Sequence, residues 1–240
     1  MPLLAYVSDA DLYKEVTFLL EKAKQKKEEA EKTFNRNVID PFGALFESSG
    51  FSTYDEWRNF EMARQYQKTA QNHVGTFHQK LLGHVEGWND NGTGNVVDLI
   101  NEDKKILAEI KNKHNTVTGG DLAAKYGELD DMISPKASRY KGYTAYFVNI
   151  IPKKPERFNN TFTPSDKKRG TNCPKNENIR IIDGASFYHL VTGRHDALKE
   201  LHSVLPGVIE TVVNNLFKTT NFSIPNKENF MQYFPLAYGK

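Results

Sequence analysis

Apolar residues in the first third of the chain recur at helical spacing. Leu12, Val16, Leu19 and Leu20 follow Ser8, which stands three residues before Asp11 as a helix N-terminus would require. The run Glu21–Lys32 holds five lysines and four glutamates, and such mixing of signs marks a solvated helix face. Pro41, Gly43 and Gly50 break the pattern between Asn37 and Phe51, which reads as a connector around a short helix. A second long helix is predicted from about Asp55 to Leu82, with Ala63, Ala70, Val74, Phe77 and Leu81 forming one apolar stripe. Gly87–Asn95, "GWNDNGTGN", is a loop.

Beyond it the periodicity changes. "NVVDLI" (Asn95–Ile100) and "KILAEIK" (Lys105–Lys111) are aliphatic runs around a turn, and a hairpin is the economical reading. Leu122, Tyr126, Leu129 and Ile133 then give a helix, and Tyr143–Ile151 a strand that stops at Pro152. A polar loop extends to about Asn178, "IRIID" is another strand, and two helical patterns close the chain through "ASFYHLV" and "DALKELHSVLPGVIETVVNNLF". This order predicts one α/β domain over residues 1–240, mainly helical over 1–90, with a core at 91–240 in which helices flank a sheet.

Composition narrows the class. The chain has 240 residues, 38% of them hydrophobic, enough for a real core, and no apolar run nears the roughly 18 residues a membrane span needs. The N-terminus lacks the basic start and apolar stretch of a signal peptide. The single cysteine, Cys173, cannot form an internal disulfide, which suits the reducing cytoplasm. Net charge is only +2, so any nucleic-acid site must come from how the charge is distributed.

Candidate chemistry lies in the hairpin. Alternation puts Ile106, Ala108 and Ile110 on one face and Leu107, Glu109 and Lys111 on the other. Asp98 sits among Val96, Val97, Leu99 and Ile100, where a lone carboxylate would be costly. In-register pairing would bring it near Glu109, and two carboxylates that close repel unless a cation intervenes. Magnesium, which takes oxygen ligands from one or two carboxylates with water and phosphate, would resolve the conflict. Lys111 would then position the attacking water and stabilise phosphate charge. Glu-x-Lys is nonetheless common on solvated strands, and the triplet alone leaves that reading open.

The wider sequence adds to this. Asp98, ten residues, then "EIK" resembles the PD-(D/E)xK nuclease signature, with Val97 where proline often stands. The blocks "NVIDPFGALFESSGF", "QNHVGTFHQKLLGHVEGW", "AEIKNKHNTVTGGDL", "FTPSDKKRGTNCPKNENIRIIDGASFY" and "LPGVIE" resemble a family of type II restriction endonucleases that recognise GGNCC. The resemblance implies a nuclease-like mixed central sheet flanked by helices with an N-terminal helical elaboration. It also implies an Mg²⁺-dependent endonuclease acting on double-stranded DNA as a homodimer. Asp98 and Glu109 would be metal ligands, joined by the Ile110 carbonyl, with Lys111 as the catalytic lysine and Glu86 or Glu61 as an additional helical acid.

For DNA contact the sequence offers a basic segment. Between Lys153 and Arg180 stand Lys153, Lys154, Arg157, Lys167, Lys168, Arg169, Lys175 and Arg180, against Glu156, Asp166 and Glu177. This excess would neutralise phosphates, and Arg157, Lys168, Arg169 and Arg180 are candidate guanine readers; a solvated surface loop is the plainer alternative. Lys113, His114, Asn115 and Thr116 follow Lys111 and would sit at the DNA backbone or groove edge, although His114 is equally a turn residue. His73, His78 and His84 have no zinc-site spacing; His78 and Gln79 read first as packed side chains, with contact to DNA or a partner subunit as the alternative. Two other functions stay open: a structure-specific or repair nuclease, and a DNA-binding module with a structural acidic pair.

Overall fold

The structure, a computed structural model, describes residues 1–34, 38–92, 94–219 and 221–239. Asn37, at the head of the connector, and Thr93, in the glycine-rich loop, lie outside the described residues. Helix α1 (Asp9–Thr33) opens on Ser8, whose side chain accepts the Asp11 N–H while its hydroxyl donates to the Asp11 carboxylate. Leu12 and Val16 are buried, and the charged run beyond them carries the pairs Lys26–Glu29 and Lys24–Glu28. Asp40 caps the short α2 (Pro41–Ser48), with proline in the first turn where a missing N–H costs nothing.

Helix α3 (Tyr54–Gly83) follows. The expected apolar stripe holds only in its second half. Phe77 and Leu81 are buried and Ala70 and Val74 half-buried, but Ala63 is exposed. The first half packs instead through Trp57, whose ring meets Phe34 edge-on at 6.4 Å, and this rotation leaves position 63 outward.

The sheet comprises β1 (Asn89–Asp90), β2 (Leu99–Asn101), β3 (Ile106–Lys113), β4 (Thr144–Ile151), β5 (Asn159–Thr161) and β8 (Ile179–Asp183), in the order β1-β2-β3-β4-β8-β5. β3, β4 and β8 run parallel and the outer strands antiparallel. α4 (Gly119–Ile133) connects β3 to β4, and α5 (Gly184–Thr192) and α6 (Ala197–Phe217) follow β8. Two short helices, α7 (Lys227–Met231) and α8 (Tyr233–Tyr238), end the chain. Alternation sorts the core. Ile106, Ala108, Ile110, Tyr146, Val148 and Ile150 face α1, α3, α5 and α6, while Leu107, Ala145, Phe147 and Ile179 face α4 through Tyr126, Leu129 and Ile133. The result is a mixed sheet with helices on both sides. At the start of α5, a Cβ on Gly184 would run into the Ile150 carbonyl, so only glycine lets this helix turn so close beneath β4.

Two expectations need correction. The hairpin forms, but β2 pairs only from Leu99↔Ala108 to Asn101↔Ile106; Val96 is exposed and Val97 joins the α4-side core. The polar stretch after Pro152 is not simply a loop. It contains β5, which pairs antiparallel with β8, and a small hairpin of β6 (Ser165–Asp166) and β7 (Thr171–Asn172). Residues such as "NNT" carry no apolar alternation. Their strand character comes from the open edge of β8, while Phe162 and Cys173 anchor the segment in the α4-side core.

Candidate active site

Just before β2 begins, the Asp98 N–H donates to the Ala108 carbonyl at 2.8 Å, and the Asp98 carbonyl accepts from the Asn91 N–H at 2.8 Å. Its carboxylate then takes the next ladder position, accepting the Ile110 N–H at 2.6 Å. That substitution of side chain for backbone explains why β2 is shorter than its sequence suggests, and it fixes the carboxylate beside β3. The paired register ends at Leu99↔Ala108, so Asp98 is not a ladder partner of Glu109; it shares Ala108 with Leu99, and its carboxyl still lies close enough for the charge of Glu109 to act on it. Burial, then the charge of Glu109, hold the Asp98 carboxyl well above the ordinary carboxylate range, against the opposing pull of the Ile110 N–H and Lys111.

Glu109 is 4% exposed and is met by two ammonium groups. Lys111 Nζ lies 2.5 Å from its Oε1, and Lys125 Nζ, arriving from α4, lies 3.7 Å from the same oxygen. Lys125 also pairs with Glu128 at 2.7 Å. Burial lowers the Lys125 pKa, but its hydrogen bonds and charge contacts with Glu128 and Glu109 more than offset that, leaving it above the usual lysine value.

Asp98, Glu109, Ile110, Lys111, Lys113, Asn115 and Thr116 all line a cleft of about 650 Å³, opposite a wall formed by Gln71, Asn72, Gly75, Thr76 and Gln79 of α3. The Asn112 amide donates to the Gln71 carbonyl at 3.3 Å, and its Oδ1 is buried with no hydrogen-bond partner among the described residues. The α3 wall and Lys125 were missed from sequence. The wall was legible in principle, because Gln71, Asn72, Thr76 and Gln79 alternate with the apolar positions of the same helix at i+3/i+4 spacing.

Other candidates stand elsewhere. His114 is exposed and is not part of the cleft lining. Glu61 is buried on α3 and bound to Arg64, at 2.6 and 2.8 Å, and to Gln65; the Arg64 bond chiefly holds its pKa down. Glu86 is exposed in the turn after α3, and neither acid lines the cleft. Nor does the Lys153–Arg180 segment. Lys154 is exposed, and Lys167, Lys168 and Arg169 form the tip of the β6–β7 hairpin, with Arg169 3.4 Å from Asp166. Arg157 donates to the His195 carbonyl at 2.7 Å, and Arg180 donates to the side chain and carbonyl of Asn159 at 2.6 Å each. His78 is buried and shares a 2.7 Å hydrogen bond with Tyr188, and Gln79 donates to Asp90 at 2.7 Å.

A mixed sheet flanked by helices, with Glu109 and Lys111 of β3 meeting Asp98 and Lys125 in an open polar cleft, is consistent with a restriction endonuclease fold. The sequence comparisons supply the family. The model of the Eco47II restriction endonuclease family matches residues 4–214. The chain is 66% identical over 239 residues to the type II restriction enzyme Eco47II of Escherichia coli, covering 100% of both chains. It is 34% identical over 209 residues to the type II restriction enzyme Sau96I of Staphylococcus aureus, covering 85% of this chain and 78% of that enzyme. The chain belongs to the Eco47II restriction endonuclease family, and is a type II site-specific deoxyribonuclease.

Proposed function

We propose that this enzyme hydrolyses double-stranded DNA at GGNCC in an Mg²⁺-dependent reaction, as a cytoplasmic homodimer, with Asp98, Glu109 and Lys111 as its catalytic set. One endonuclease domain spans 1–240, the helical 1–90 part supplying the α3 wall. The observation that carries the reading is the convergence of Asp98 and Glu109 at the open end of the β2–β3 hairpin, with two lysines paired to Glu109.

The donor set fits magnesium, which is usually held by one or two carboxylates together with water and substrate phosphate. Asp98 and Glu109 supply the carboxylates. A strand residue directs its N–H and C=O to the same edge, so the Ile110 carbonyl leaves on the side of Asp98, beyond the last paired residue of β2. Bound there, the cation would supply charge against the phosphate and make water more acidic. The chain's own work is positional. Asp98 and Glu109 fix where that charge sits, and Lys111 orients the attacking water and stabilises charge on the phosphate oxygens. The water oxygen bonds to phosphorus and gives up a proton to solvent, one P–O ester bond breaks, and the departing sugar oxygen takes up a proton from solvent. Lys113, Asn115 and Thr116 hold the backbone beside the scissile group, and the Lys167–Arg169 tip and Lys154 meet phosphates further along. Of the candidate guanine readers, Arg157 and Arg180 are already bound to the His195 carbonyl and to Asn159, so the proposal gives them structural work and leaves Lys168 and Arg169 to the DNA.

Dimerisation is supported by an exposed apolar face. Phe42, Leu45 and Phe46 of α2 are 73%, 73% and 82% exposed. Through Phe51, whose ring lies 5.2 Å from Phe60, the surface continues to Phe60 and on to Tyr54. With about 150–250 Å² for a fully covered aromatic side chain and roughly half to four-fifths of each exposed, the face offers on the order of 700 Å², near the ~800 Å² each partner brings to a standard interface. A second copy is the occupant, because a two-fold contact between like faces would give a palindromic duplex one cleft per strand.

Plasmid DNA digested with Mg²⁺ should give discrete fragments, their sequenced ends fixing both site and cut position; a chelator should abolish cutting. Fragments ending at sites unrelated to GGNCC would remove the specificity, and undiminished cutting in chelator would remove the metal. Phe46→Asp should sediment as a monomer where the parent is a dimer. A parent that sediments as a monomer at micromolar concentration would remove the dimer.

A further inference from the structure

We propose that Lys125 is a second catalytic lysine, held beside Glu109 by Glu128, that transfers its contact from the carboxylate to the DNA phosphate when a divalent cation occupies Asp98 and Glu109. The proposal rests on the nuclease reading of the cleft and adds to it a residue from a different element.

Two ammonium groups, from β3 and from α4, converge on the same oxygen of Glu109, at 2.5 and 3.7 Å. Like charges gather so closely only around an anion that outweighs their repulsion. Lys125 has no structural need for this arrangement, since Glu128, one turn further along α4, already pairs with it at 2.7 Å. An ordinary surface pair would lie over the helix and face solvent. Lys125 instead turns inward to a carboxylate that is itself 4% exposed, and it lines the cleft.

The charge balance then gives it a task. Lys111 and Lys125 both meet Glu109, and Lys111 also acts on Asp98, so a cation held by these carboxylates would add charge where ammonium charge is already gathered. Two further positive charges on those carboxylates would leave both lysines beside an excess of their own sign. Each must give up Glu109 or weaken cation binding. The other carboxylate that Lys111 acts on is Asp98, which would itself hold the cation, whereas Lys125 keeps Glu128 and so stays at the cleft wall. The nearest anion to enter the cleft is the DNA phosphate, and a tethered ammonium is suited to donate to its non-bridging oxygens.

The test separates this role from a merely structural ion pair. In the DNA-free protein, titration with Mn²⁺ should show several-fold tighter binding for Lys125→Ala than for the parent, because a competing charge has gone. The same variant should cleave roughly 10–100-fold more slowly at saturating Mg²⁺, and Lys125→Arg should recover most of that loss. Glu128→Gln, which leaves Lys125 in place but untethers it, should slow cleavage by a smaller factor without tightening Mn²⁺ binding to the same degree. Unchanged Mn²⁺ affinity, or parental cleavage by Lys125→Ala, overturns the proposal. Lys111→Ala run in parallel distinguishes the two levels: if it too cuts at the parental rate, the whole cleft assignment fails rather than the role of Lys125 alone.

Discussion

The cleft at the end of β3 and the segment from Lys153 to Arg180 are both rich in charge, yet the fold treats them in opposite ways. In the cleft, Asp98, Glu109, Lys111 and Lys125 come from three separate elements and meet within hydrogen-bonding or ion-pairing reach, with Glu109 almost fully buried. In the segment, eight basic residues disperse. Arg157 and Arg180 serve their own backbone, and Lys167, Lys168 and Arg169 stand on an exposed turn. Buried, convergent charge is costly and persists where chemistry needs it. Dispersed positive charge costs little and suits attraction of a polyanion. On the proposed reading, the convergent charge would cut DNA and the dispersed charge would hold it, a division that experiment can break.

The largest effect should come from the cleft. Lys111→Ala is expected to lower cleavage by about 10²–10⁴-fold while DNA binding measured in Ca²⁺ stays within a few-fold of the parent. A comparable loss of binding would move Lys111 from chemistry to affinity and erase the contrast.

The next effect sharpens the comparison by isolating the fold from the cleft as pH changes. Burial lowers the pKa of His78 from its ordinary 6.5 to about 4, so the folded protein keeps the ring neutral beside Tyr188. The unfolded chain takes up that proton below about 6.5. Between the two values the unfolded state binds more protons, so stability falls as pH falls through that window. The contribution is complete above about 6.5 and about 3 kcal/mol of it is gone by pH 4. Urea unfolding at pH 7.5 and pH 4.5 should show a smaller difference for His78→Asn than for the parent. Equal differences would assign the acid sensitivity to another group, and cleavage profiles would then need a different correction.

The triple change Lys167→Ala, Lys168→Ala and Arg169→Ala should act on affinity alone. If all three neutralise phosphates, the slope of log affinity against log salt becomes shallower by about 2–3, with single-turnover cleavage of bound DNA unchanged. An unaltered slope would leave the hairpin tip without a role in binding.

Which of these regions could be read in advance followed from how local their signals are. β3, α4 and β4 were legible because Ile106–Ile110, Leu122–Ile133 and Tyr143–Ile151 show clear alternation or helical spacing, whereas Asp98 comes near Glu109 through its side-chain bond to the Ile110 N–H and not through the in-register pairing expected of the hairpin. β5 was not, since Asn159–Thr161 becomes a strand only because β8 offers it an edge. Lys125 was hidden by the apolar series around it. Its position one residue before the buried Tyr126 conveys nothing until α4 packs back on the sheet and turns it toward Glu109. Glu61 and Glu86 illustrate the converse. Both are acids on or beside α3, but the helix rises about 1.5 Å per residue, which puts Glu61 some 15 Å along the axis from Gln71, at the start of the cleft wall.

Arg180 carries the smallest expected effect and the finest discrimination. From sequence it is one more cation in a basic segment and a candidate guanine reader. In the fold its guanidinium spans β8 and β5, donating from Nε to the Asn159 side chain and from a terminal nitrogen to the Asn159 carbonyl. A role in reading bases would require giving up both bonds, and β5 has only three residues paired to β8. Arg180→Ala is therefore expected to destabilise the protein by about 1–2 kcal/mol, read as a lower urea midpoint. DNA affinity measured well below that midpoint should change by less than the hairpin-tip variant changes it. Arg180→Lys should recover little stability, because a single ammonium cannot satisfy both Asn159 acceptors in the same geometry. If Arg180→Ala instead leaves stability intact and relaxes preference at one base pair of the site, Arg180 reads DNA. The boundary between structural and affinity charge would then have to be redrawn through β8.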